Sequence, residues 1–147
     1  MYSLRKLLAF FLVLAFPAAT IAAPALISTP SGLQYSDLKV GEGTEAKDQM
    51  LVKLHYTSWA ALNPTGEKGK RLSSSTELGQ PISFMLGVGR AVEALDKGVP
   101  GMKVGGKRLL VAPANMAPLS PEQAKDLPPN SPVVFEIELL EALVPKS

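Results

Sequence analysis

The chain has 147 residues, with 15 Lys and Arg against 13 Asp and Glu, and no Cys. That length suits one ordinary domain and not two. The lack of Cys excludes disulfides, thiol chemistry and a lipid-modified N-terminal Cys, and no basic patch argues for nucleic acid.

The N-terminus has the layout of a secretory signal peptide. Arg5 and Lys6 form a basic start, residues 7–16 are uninterruptedly apolar, Pro17 breaks the run, and small residues follow through Ala25. Cleavage is expected after Ala22, with Ala25 as the alternative site. A membrane anchor is the competing reading, but a span needs about 20 apolar residues. Loss of residues 1–22 removes two bases and no acid, taking the formal charge from +2 to zero. The expected organisation is a signal peptide at 1–22, a flexible lead-in at 23–31, a folded domain at 32–143 and a short tail at 144–147.

Along the mature chain, Leu33-Gln34-Tyr35 opens a strand that ends near Gly41 and Gly43. Val52, Leu54 and Tyr56 alternate with Lys53, His55 and Thr57, the pattern of a half-buried strand. Asn63-Pro64 and Thr65-Gly66 mark a long turn, and Ser73, Ser74 and Ser75 also read as turn. Residues 82–86 form a short apolar strand. Val88, Ala91, Val92, Leu95 and Val99 then recur at helical spacing, with Arg90, Glu93, Asp96 and Lys97 on the opposite side. This predicts one short helix stopped by Gly98 and Pro100. A glycine-punctuated turn leads to a strand over residues 107–112. Residues 113–132 are a Pro-rich loop, within which Ser120-Pro121-Glu122 could open one helical turn. The closing strand carries Val133, Phe135, Ile137 and Leu139 on one face and Glu136 and Glu138 on the other. About five strands and one helix give an α+β domain: an antiparallel sheet curled around its helix.

The residue types for proton transfer, metal binding or nucleophilic attack lack a suitable setting. The single His, His55, alternates away from the apolar side of its strand, and a lone His without Cys does not make an ordinary zinc site. The serines at 73–75 have no Gly-x-Ser-x-Gly context. Gly87-Val88-Gly89 lacks the third glycine and the long βαβ unit of a nucleotide loop. What remains is an apolar concavity contributed by Tyr56, Leu72, Phe84, Val92, Leu95 and Phe135. Periodicity alone favours reading these as ordinary core.

Five stretches change that weighing: residues 29–35 (Thr-Pro-Ser-Gly-Leu-Gln-Tyr), His55-Tyr56-Thr57, residues 69–75 (Gly-Lys-Arg-Leu-Ser-Ser-Ser), residues 98–108 (Gly-Val-Pro-Gly-Met-Lys-Val-Gly-Gly-Lys-Arg), and Leu127-Pro128-Pro129-Asn130 with the strand from Val134 to Leu140. In order and spacing the chain resembles the FKBP-type peptidyl-prolyl cis-trans isomerases over roughly residues 29–142.

The resemblance implies non-covalent rotation of X-Pro bonds in an apolar pocket, with no cofactor and no metal. It assigns Tyr56, Phe84 and Phe135 to the pocket wall and Val92 to the helix start, where a backbone N–H receives a ligand carbonyl. Leu72, Ser73, Ala91, Leu95 and Leu127 are the implied substrate-binding positions. Four departures from the usual family pattern stand out. Leu95 stands where the family carries a floor Trp, Leu72 replaces a Phe, Ser73 replaces the Asp that partners the pocket Tyr, and Ala117 stands near a lost Tyr. Weak activity and poor affinity for the family's macrolide inhibitors are therefore expected. The implied partners are proline-containing segments of folding proteins in the periplasm or outside the cell. No nucleic acid and no stable membrane association after cleavage are expected. The chain shows no N-terminal helical arm of the kind that dimeric periplasmic relatives carry, so a monomer is expected.

Overall fold

The computed structural model describes residues 25–146. The expected signal peptide lies outside them. The strands are β1 (Ile27–Ser28), β2 (Gln34–Lys39), β3 (Leu51–Ala61), β4 (Lys68–Ser74), β5 (Ile82–Met85), β6 (Lys107–Ala112) and β7 (Val133–Leu143). They form one sheet in the order β1-β2-β6-β7-β3-β4, with β5 also pairing to β3, and every pairing is antiparallel. The helices are short: α1 (Glu93–Gly98) and α2 (Pro121–Ala124). Among the described residues no helix is long and apolar enough to cross a membrane.

The expected architecture is present, with two strands more than the sequence pattern suggests. The long central pair β3 and β7 carries the alternation that predicts it: Val52 and Leu54 are fully buried, as are Ile137 and Leu139. β1 is only two residues long. β4 takes in Ser73 and Ser74, which were expected in a turn. It is an edge strand rich in Lys and Arg, so it shows no apolar alternation, and such charges on an edge oppose pairing with a second chain.

The helix is shorter than its apolar spacing suggests. Val92 is the N-cap, with φ −55° and ψ 144°, so the backbone is still extended there. Gly87 and Gly89 both take positive φ, 78° and 71°, which keeps the preceding segment out of a helix. Val88 and Val92 are exposed. The face of α1 that is buried consists of Ala94, Leu95 and Gly98. Gly98 belongs to the helix, not to the turn beyond it. A Cβ there would stand 2.5 Å from Leu110 Cδ1, so the missing side chain lets α1 lie directly on β6.

Arg108 ties that helix end to the sheet. Its side chain is almost fully buried, donating to Gly98 O at 3.0 Å and Pro100 O at 3.1 Å, while Nε pairs with Asp37 Oδ1 at 2.7 Å. The guanidinium also lies 4.5 Å above the Tyr35 ring. Helix C-terminal carbonyls lack intrahelical donors, and here a cation from the neighbouring strand supplies them. In the 113–132 connection, Ser120 does open a helical turn: it caps α2, with Gln123 returning the bond in a capping box.

Candidate active site

Between the curled sheet and α1 lies a hollow of about 370 Å³. β3 places Tyr56 in it, β5 Phe84, β7 Phe135 and α1 Leu95; Ala91 and Val92 enter from the approach to the helix. Phe84, Phe135 and Leu95 are buried walls. The Tyr56 and Phe135 rings are tilted by 50° with centroids 6.4 Å apart. The Tyr56 hydroxyl is 3.0 Å from Ser73 Oγ across the β3–β4 pair. Two neutral hydroxyls share this bond, which makes it weaker than one to a carboxylate.

Of the residues singled out from the sequence, Tyr56, Ser73, Phe84, Ala91, Val92, Leu95 and Phe135 come together here. Leu72 and Leu127 do not. Leu72 is half-buried against the core but does not line the hollow. Adjacent strand side chains diverge, and in β4 it is Ser73 that reaches Tyr56. Leu127 lines a second hollow of about 380 Å³. Ala117 and Leu119 line both hollows and so form the partition between them.

The hollow also contains Ile82, Val133, Leu119 and Arg90, which pattern reading did not single out. Two were visible in principle. Ile82 precedes Phe84 by two positions in β5, and Val133 precedes Phe135 by two in β7, so each shares its partner's face. Leu119 and Arg90 sit in loops, where no period marks an inward side chain.

The polar groups of the hollow are neutral except for Arg90. Among the described residues the Val92 N–H has no acceptor within the chain. His55 points elsewhere, with Nδ1 2.9 Å from the buried Ser75 Oγ. Among the described residues no three His, Asp or Glu side chains gather around a common point. Such a site can hold a small apolar ring, with the Val92 N–H, the hydroxyls of Tyr56, Ser58, Ser73 and Ser83, the Gln123 amide and the Arg90 guanidinium around it. It is not built for covalent chemistry.

Two solved structures illustrate the architectural likeness. FkpA from Escherichia coli aligns with a TM-score of 0.65 at 30% identity over 82% of this chain, which spans about half (53%) of the FkpA chain. AtFKBP13 aligns at 0.63 and 31% identity, covering 84% of this chain and 99% of its own. The family model described as FKBP-type peptidyl-prolyl cis-trans isomerase matches residues 42–140, and the chain belongs to that family of enzymes. An FK506-binding protein of Neisseria meningitidis is 37% identical over 110 residues, 75% of this chain and 95% of its own length. The chloroplastic isomerase FKBP16-3 of Arabidopsis thaliana is 39% identical over 118 residues, 78% of this chain and half of its own.

Proposed function

We propose that this protein isomerises X-Pro bonds in exported polypeptides, slowly for its family, by binding the twisted amide in the hollow between α1 and the sheet. The amide resists rotation with a barrier of about 18–20 kcal/mol because its C–N bond has double-bond character. Twisting removes that conjugation and makes the carbonyl less polar. A pocket that withholds water favours the twisted form over the planar one, which is catalysis by differential binding. A thousandfold acceleration needs only about 4 kcal/mol.

The observation that carries this reading is the meeting of Tyr56, Phe84, Leu95 and Phe135 around an opening beside the unengaged Val92 N–H. The aromatic walls would take the prolyl ring, and the N–H would receive a substrate carbonyl. Low activity follows from the same residues. Leu95 offers less flat surface than the Trp usual in the family, Ser73 offers a neutral partner to Tyr56, and Ala117 brings no hydroxyl. The basic, apolar, small-residue N-terminus supports export to the periplasm or beyond, with a monomeric mature chain meeting clients as they fold.

The test is an exchange measurement on a Phe-Pro peptide with the exported protein, whose N-terminal sequencing also locates the cleavage site. Acceleration above background is expected. A folded protein that suppresses aggregation of an unfolded client without any acceleration would establish the alternative, a non-catalytic peptide-binding module.

A further inference from the structure

The hollow contains one side chain charged at neutral pH, that of Arg90, and no carboxylate. Arg90 is exposed at the mouth, and among the described residues it forms no ion pair. The acids nearest to it in sequence are engaged elsewhere. Glu93 pairs with Lys97 at 2.7 Å. Asp96 accepts from the Gly87 N–H at 2.7 Å and the Gly89 N–H at 3.4 Å. The other polar groups at the opening, Ser83 and Gln123, are neutral. An apolar hollow with a single uncompensated cation at its rim holds a positive potential where a bound chain must enter and leave.

From this we infer that Arg90 selects proline segments carrying Asp or Glu immediately beside the proline. The inference rests on reading the hollow as the prolyl site. The carboxylate stays at the rim, half in water, and pairs with the guanidinium while the prolyl ring lies deeper. Aliphatic neighbours gain nothing from Arg90, and a Lys there is repelled.

The experiment compares kcat/KM for matched peptides with Glu, Gln or Lys directly before proline, and again directly after it. An exposed pair of this kind should favour Glu over Gln by roughly two- to fivefold in at least one series. The preference should fade at about 0.5 M salt, where screening acts within roughly 4 Å. The Glu/Gln ratio, taken within each variant, should fall to about one in Arg90→Gln and invert in Arg90→Glu. Turnover of a Leu-Pro peptide with no Glu/Gln difference in either series would overturn the role of Arg90 and leave the isomerase reading intact. So would a preference that persists in Arg90→Gln. No turnover of any peptide would remove the isomerase reading and this inference with it.

Discussion

Replacing Val92 with Pro isolates a single hydrogen-bond donor. Pro fixes φ near −65° and deletes the N–H. Val92 already has φ −55°, and its N–H donates to nothing among the described residues. It is the N-cap of α1, not an interior position, so the ring removes no helical bond. The lost Val side chain is more than a third exposed, and the stiffer unfolded chain offsets its loss by about 0.4–1 kcal/mol. Thermal unfolding should therefore stay within about 5 °C of the parent. Catalysis should not. A substrate carbonyl desolvated without its donor costs about 1–3 kcal/mol, a drop of roughly 5- to 150-fold in kcat/KM. Val92→Ala keeps the donor and should lose less than about 1 kcal/mol, the value of a partly buried aliphatic contact. The readout is peptide exchange kinetics beside a melt and far-UV circular dichroism. A folded Val92→Pro protein within twofold of the parent would show that the N–H is not the carbonyl's partner.

Substitutions at four further positions test how the site is held. Arg108→Met should lower stability by about 3 kcal/mol, because the buried Gly98 carbonyl loses its donor and Asp37 its cation; an unchanged urea midpoint would deny Arg108 that role. Asp37→Asn should cost less, about 1 kcal/mol, since that side chain is 38% exposed. Asp96→Ala should free the 87–92 segment from α1 and raise KM about fivefold with little change in melting, while Asp96→Asn, which keeps an acceptor for Gly87, should recover most of the loss. Equal KM values for the two variants would count against that clamp. Gly41→Ala would put Cβ 2.4 Å from two backbone carbonyls, Lys103 O and Val104 O, neither of which can rotate away. A loss of about 3 kcal/mol or more is expected, with KM unaltered in the folded fraction, and a parent-like melt would contradict it.

Much of the fold is legible in the sequence because the central strands are buried on one face. Val52 and Leu54 in β3, and Ile137 and Leu139 in β7, must all face the core, so their spacing states their structure. β4 is not legible for the converse reason. As an edge strand it is held by backbone pairing to β3, for example Thr57 opposite Ser74, and its side chains have little to bury. Tyr56 and Phe135 line the hollow from regular strands whose register the motifs carry, whereas Phe84 lies on a short strand outside the quoted stretches. Leu127 lines the neighbouring hollow, its place set by the path of a long connection, and the resemblance says nothing of Arg90, the one charged side chain in a lining without acids.

The misread helix is the most informative difference. Val88, Val92, Leu95 and Val99 sit at helical spacing, and a continuous helix through them would satisfy the pattern. In such a helix the Val92 N–H would be bonded to the Val88 carbonyl, four residues back. The positive φ of Gly87 and Gly89 breaks such a helix, and the Asp96 carboxylate accepts from both of their N–H groups in that path. The chain thus gives up a turn of helix and exposes two valines, and in return Val92 reaches the hollow with its donor unused. A sequence selected for packing alone would have no reason to break an apolar period at that point. The break is explained if the donor is reserved for a carbonyl that arrives with the substrate.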